Sequence, residues 1–592
     1  MLDRRALIKL GLYGGTGGLL HLAHLKSGVW GWALDETKKG APPPRSSPPK
    51  GGGGMPSPPG GTYPSTITLP IPPGAQPVNV ASLPGAPLIP GATYYEVSMA
   101  LGQVQYFPST MGPGTPTMFL GYAPPPPGIV APAIRGHLGP TFVAKIGEPV
   151  VVRMHNNLPG STTTAIVHHH GGHTPSVSDG SALYSQQIPN GSFRDYVYPN
   201  DDDISATHWY HDHDIDVTGH NVFLGLQGLF PLWDDVERAL NLPGNPITDP
   251  ASHGAPFDLP LVFQDRLFDT NNQIAFDPFN SDGMLGNIFM INGAIQPSLT
   301  VFNRRYRLRL MNGCNARFFQ LSLSDPRATL YIIGSDGGLF KSPLGPVTSV
   351  RLGPAERVEV IVDFKNVTPG PNVQVFLRNS LSQTGGREPN QDCLTTGTCP
   401  NLNAVPGMDG LGALLRFDVS LAWPGSDNSF NPAVQTTLRT DLPSFGDPNA
   451  PGVVHRTWVF ERGNGAWVVN GQLFDPGPPG VGPPRIDAHV AHGAAEIWTL
   501  QNNSGGWYHP VHIHRNQFYI LDRNGSATNV LPQETGLKDV FVLGGNETVR
   551  VFTRYDGIVN DTSGIYVMHC HNLAHEDMRM MVAWQVCNPT CG

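Results

Sequence analysis

Apolar positions along most of this chain do not recur at the 3.6-residue spacing of a helix. They fall in short alternating or continuous runs bounded by Gly, Pro and Asn, the pattern of strands joined by turns. "FVAKIGEPVVVRMHNNLPG" and "TTTAIVHHHGG" are written this way. So are "SLTVFNRRYRLRLMNG" with "ERVEVIVDF", and later "GAAEIWTLQNN" with "ETVRVFTRYDG". The pattern occupies three blocks, 93–235, 236–420 and 450–592, with a connector at 421–449 and no long helical stretch. It predicts an all-β protein built from three β-sandwich domains.

A chain of 592 residues has room for several cores, and its 70 glycines and 60 prolines supply the turns that short strands need. Lys and Arg number 37 against 46 Asp and Glu, a net charge of −9 with no basic stripe, so nucleic acid is not an expected partner. Six cysteines are too few for a disulfide scaffold. Cys314, Cys393 and Cys399 form a middle group with room for one disulfide and one leftover thiol, and Cys587 and Cys591 lie together near the end. Residues 1–33 resemble a twin-arginine export signal: Asp3-Arg4-Arg5-Ala6-Leu7-Ile8-Lys9 precedes a glycine-rich apolar run that ends at Gly31-Trp32-Ala33. The resemblance implies a periplasmic or extracellular protein. Residues 34–92 read as a Pro/Gly-rich linker and lead-in. A membrane helix needs about 20 mostly apolar residues. No later stretch supplies them, so no stable membrane insertion is expected once the signal is removed.

The chemistry lies in repeated histidine pairs. His-x-His occurs at His168/His170, His211/His213, His512/His514 and His569/His571, all in the first and last blocks. Residues two apart on a strand share a face, so each pair can present two imidazoles to one side. A single such pair is usually a surface feature or a satisfied structural pair, but four of them describe eight nitrogens converging between two domains. His169 should point away from its neighbours, and His155, His173 and His220 read as structural or solvent-facing.

"MHCHNLAHEDMRM" places Cys570 between His569 and His571. Alternation sends the thiol to the face opposite both imidazoles, which calls for two metal sites sharing one backbone segment. In "WYHPVHIHRNQFYIL", His509 has the opposite parity to His512 and His514 and is expected to join Cys570. Adding His575, with Met580 as a weak fourth ligand, gives the donor set of a blue-copper electron-transfer site. Zinc is the redox-silent alternative, and gives no reason to join the thiolate to a second site.

These motifs, "HHHGG", "HWYHDH", "HPVHIH" and "HCHNLAHEDMRM", resemble the copper signatures of the multicopper oxidases in the family's order, and "PAERVEVIVDF" resembles its middle-domain text. The spore-coat laccase, bilirubin oxidase and phenoxazinone synthase group is the nearest in pattern. The resemblance implies three cupredoxin-like Greek-key β-sandwich domains and four copper ions. It implies a type 1 copper on His509, Cys570 and His575 with Met580 axial, and a type 2 copper on His168 and His512. One type 3 copper would take His170, His211 and His571, and the other His213, His514 and His569. Met578 and Met581 fit the axial spacing less well. Asp179 and Glu576 resemble acidic residues that this group uses near the oxygen-reducing cluster, and so join Cys570 as candidate catalytic residues.

The implied activity is oxidation of a small phenolic or aromatic reductant, one electron at a time near an exposed edge of His509 or His575, with dioxygen reduced to two waters by a monomeric enzyme. Two alternatives share the same ligands. One is a metal-ion oxidase acting on Mn(II) or Cu(I), although the chain's 14 methionines form no methionine-rich tract. The other is a non-catalytic periplasmic scaffold.

Overall fold

A computed structural model of the protein describes residues 67–106, 115–123, 138–160, 163–201, 204–244, 257–477, 483–557 and 564–587. The export-signal stretch 1–33 and the linker as far as residue 66 lie outside the described residues. The lead-in that follows is docked on the protein. Leu69 is buried in the core of the middle block, and Val78 N–H donates to the backbone oxygen of Tyr94 at 2.7 Å.

The described strands form six larger sheets, two in each block, and the same connectivity occurs three times. Thr93–Val104 pairs antiparallel with Thr117–Ala123 and parallel with Val150–Asn157, which in turn pairs antiparallel with Phe193–Tyr198. Asp258–Arg266, Ile288–Ile291, Arg305–Asn312 and Arg357–Asp363 repeat this arrangement. Val454–Gly463, Ala466–Val469, Ala495–Asn502 and Thr548–Arg554 repeat it again. A parallel neighbour requires the chain to cross over to the second sheet before returning, so each block closes as a sandwich. Its core draws on both sheets: Val97, Val152, Phe230 and Leu232 in the first, Leu259, Val360, Leu321 and Phe417 in the second, and Trp498, Val551, Val511 and Trp584 in the third. Helices are confined to connections, and the longest among the described residues is Thr218–Leu224. No described helix is long and apolar enough to cross a membrane. Cys393 and Cys399 form a disulfide, which leaves Cys314 as the buried free thiol of the middle group.

Candidate metal centres

Four short strands position the histidine pairs, with His213, His514 and His571 each one residue past a strand end. Val167–His170 pairs with Ala206–Asp212 so that His168 faces His211, and His509–Ile513 pairs with Ile565–Cys570 so that His512 faces His569. The same register sets Val511 opposite Cys570. Because the side-chain period is two, the imidazoles emerge on one face of the sheet and the thiol on the other. Cys570 accordingly joins the apolar core of the third block, while His569 meets His213.

On the imidazole face the two end blocks share one buried cluster. Nε2 of His168 lies 3.3 Å from Nε2 of His512, and Nε2 of His569 lies 3.1 Å from that of His213 and 3.2 Å from that of His514. The His170 and His512 rings stack with centroids 3.6 Å apart. His571 completes the group, its ring centroid 5.2 Å from that of His170 and 5.2 Å from that of His211. All eight rings are buried. Burial, reinforced by neighbouring imidazoles, drives His168, His170, His512, His514 and His571 well below the usual histidine range, and holds His211 at about 3 and His213 at about 4. A neutral imidazole is the form that binds a metal.

Several partners hold these rings from behind. The backbone oxygen of Asp179 accepts from His168 Nδ1 at 2.5 Å, and its carboxylate accepts from His514 Nδ1 at 2.8 Å. Glu576 lies 2.9 Å from His569 Nδ1 and 3.6 Å from His213 Nδ1. Burial alone would raise its pKa, but these two rings pull it down to about 2. Nδ1 of His211 meets the Asp212 backbone oxygen, while its Nε2 and the Nδ1 of His170 are buried without a hydrogen-bond partner. Orphaned ring nitrogens facing a common space are what an ion would satisfy.

On the opposite face, His509 Nδ1, His575 Nδ1 and Cys570 Sγ stand 3.1, 3.4 and 3.5 Å from one another. One ion with bonds of about 2.0–2.3 Å can bridge such a triangle. Burial pushes the Cys570 thiol up and holds His509 at about 3, so a bound cation is needed to turn the thiol into a thiolate. Met580 is fully buried in the same apolar cluster, its backbone tied to Cys570 and His575 at 3.1 and 3.0 Å. Met578 packs at that cluster's edge, and Met581 belongs to a different one.

The expectation of an exposed histidine edge is not met, since His509 and His575 are both fully buried. Ser504 Oγ lies 2.9 Å from His509 Nε2. His575 is covered by the indole of Trp467, and Asn572 beside it bonds the backbone oxygens of Asp282 and Gly386 at 3.0 and 3.4 Å, drawing two loops of the middle block over the ring.

The multicopper oxidase family pattern matches residues 134–235 and 454–589. The bilirubin oxidase of Albifimbria verrucaria is 32% identical over 531 residues, spanning 88% of this chain and 80% of that protein. This chain belongs to the multicopper oxidase family. A laccase of Bacillus subtilis is 28% identical, covering 76% of this chain and 89% of its own. The crystal structure of a laccase from Pediococcus acidilactici superposes with a TM-score of 0.68 at 26% identity, covering 88% of this chain and 93% of that one. As a multicopper oxidase the protein is a copper-dependent oxidoreductase that uses dioxygen, and the family's four coppers are of types 1, 2 and 3. The fold expectation holds, with cupredoxin-like sandwiches shared with the structural neighbours.

Sequence reasoning passed over Asp539, whose backbone oxygen accepts from His512 Nδ1 at 2.8 Å and whose carboxylate lies 3.1 Å from His170 Nε2. The signal was available: an acid directly before the apolar strand Val540–Leu543.

Proposed function

We propose that this multicopper oxidase couples four one-electron oxidations of a small phenolic or aromatic reductant to the reduction of dioxygen to two waters. When bound, copper supplies the one-electron acceptance and the oxygen chemistry. In this reading His509, Cys570, His575 and Met580 would hold the type 1 ion, and His168 and His512 the type 2 ion. His170, His211 and His571 would hold one type 3 ion, and His213, His514 and His569 the other. The observation that carries the reading is the peptide His569-Cys570-His571, which joins two buried donor sets back to back. Glu576 keeps a proton on Nδ1 of His569 and Asp179 keeps one on Nδ1 of His514, so the opposite nitrogens present lone pairs. Trp467, itself fully buried, shields His575 from water. The relatives' names, bilirubin oxidase and laccase, support an aromatic reductant. The Arg4-Arg5 motif supports export, which fractionation of the producing cells would test.

Oxygen uptake with a phenol, Cu(I) and Mn(II), on one preparation whose metal is counted, tests the reading. Expected are four coppers per chain, four phenols oxidised per dioxygen, and slower turnover of both metal ions. One ion per chain, or zinc, would overturn it. Preferential turnover of Mn(II) would retain the copper sites and replace the substrate class.

A further inference from the structure

The middle block contains no histidine pair, yet one of its arginines reaches the cluster. Arg357 opens the strand Arg357–Asp363 within "PAERVEVIVDF" and is fully buried. A guanidinium has five N–H donors, and here each has an acceptor. Nε donates to the backbone oxygen of Thr207 at 2.9 Å, on the strand that carries His211. Nη1 donates to the Asp539 carboxylate at 2.6 Å and to the Ala355 backbone oxygen at 3.2 Å. Nη2 donates to the other Asp539 oxygen, and to the Asp336 backbone oxygen at 3.2 Å. One side chain therefore ties residues of all three blocks.

Asp539 carries that tie to the histidines, because its carboxylate meets His170 Nε2 and its backbone oxygen meets His512 Nδ1. His170 is turned the opposite way from its neighbours. His168, His211, His512 and His514 each engage Nδ1 on the outside, whereas His170 engages Nε2 and leaves Nδ1 with no hydrogen-bond partner. A carboxylate accepting from Nε2–H fixes the tautomer whose Nδ1 keeps its lone pair. The two-pronged arginine contact fixes that carboxylate in turn, since a buried acid without a charged partner would be displaced or protonated. Gly171 makes room for the pair: its φ is +97°, and a Cβ there would stand 2.7 Å from Arg357 Nη2 and 2.8 Å from Asp539 Oδ2.

We infer that Arg357 is a positioning residue of the oxygen-reducing centre, acting through Asp539 to hold His170 with Nδ1 toward the cluster. The inference rests on the reading of His170 as a copper ligand. Arg357→Lys keeps the charge and loses the fork, Asp539→Asn keeps the shape and loses the charge, and His170→Ala serves as the reference. Each copper-loaded variant is titrated with a copper chelator while metal per chain, the visible band of the Cys570 site and the electron paramagnetic resonance of the non-blue cupric ion are followed. In the Arg357 and Asp539 variants, chelator should strip the histidine-cluster coppers at about one tenth of the wild-type concentration or less. The non-blue signal should change its hyperfine splitting, and the Cys570 band should persist. Wild-type retention with an unchanged signal in both variants would overturn the inference. So would parallel loss of the Cys570 band, which marks a general structural role. Full retention in His170→Ala would instead count against the ligand assignment itself.

Discussion

The indole of Trp467 lies over the imidazole of His575, ring centroids 4.1 Å apart and planes inclined by 37°. Trp467 is fully buried and donates its Nε1–H to the backbone oxygen of Ser281 at 2.8 Å. It is both a packing element and a lid. Trp467→Ala should cost about 3–5 kcal/mol of stability from the cavity it leaves. Water reaching His575 should also lower the reduction potential of the blue site, because a more polar surrounding favours the more highly charged ion. Thermal unfolding and redox titration of the variant check the two effects.

Met580 occupies an apolar position next to Cys570. A thioether donor favours the cupric state relative to a hydrocarbon in the same place. Met580→Leu should therefore raise the potential of the blue site, and equal potentials in the two proteins would remove Met580 from the ligand set.

Glu576 lies 2.9 Å from Nδ1 of His569 and 3.6 Å from Nδ1 of His213, cluster histidines that belong to different blocks. Glu576→Gln keeps the shape and removes the negative charge that both rings face. Turnover with dioxygen should fall on the order of 10²-fold, while anaerobic bleaching of the visible band by the same reductant keeps its rate. Slowing of both together would show that the change reached the blue site as well.

Remote from the blue site, Glu237, Asp258 and Glu359 surround Arg307 and Arg309 in a buried ionic cluster. Burial alone would raise the pKa of Glu237, but the two guanidinium groups bring it down to about 2. A folded-state value below the ordinary carboxylate range means the group stabilises the fold above about pH 4.5, and that this contribution is lost as pH falls toward 2. Glu237→Gln should be destabilised at neutral pH, and the gap from wild type should narrow across that acid window in denaturant titrations.

Much of this architecture was legible because it is local. Alternation in "TTTAIVHHHGG" gives a strand, and the parity of His569, Cys570 and His571 gives two faces without knowledge of any partner. What escaped depends on contacts between distant segments. The approach of Arg357 to Asp539 spans 182 residues, with no periodicity to announce it. Arg357 was visible as text in a family-like motif but not as a side chain aimed at another domain. The burial of His575 was hidden in part for the same reason, since the segments at Asp282 and Gly386 come from the middle block, whereas Trp467 comes from its own.

The alternation at 569–571 also limits how this enzyme can diversify. Loops can lengthen or shrink with little effect on a sandwich, but inserting or deleting one residue within this strand would rotate the sulfur into the oxygen-handling compartment and an imidazole into the hydrocarbon interior. Both centres would be lost at once. Variation in what the protein oxidises is therefore open to the segments draped over Trp467, while the count of residues beneath them is frozen.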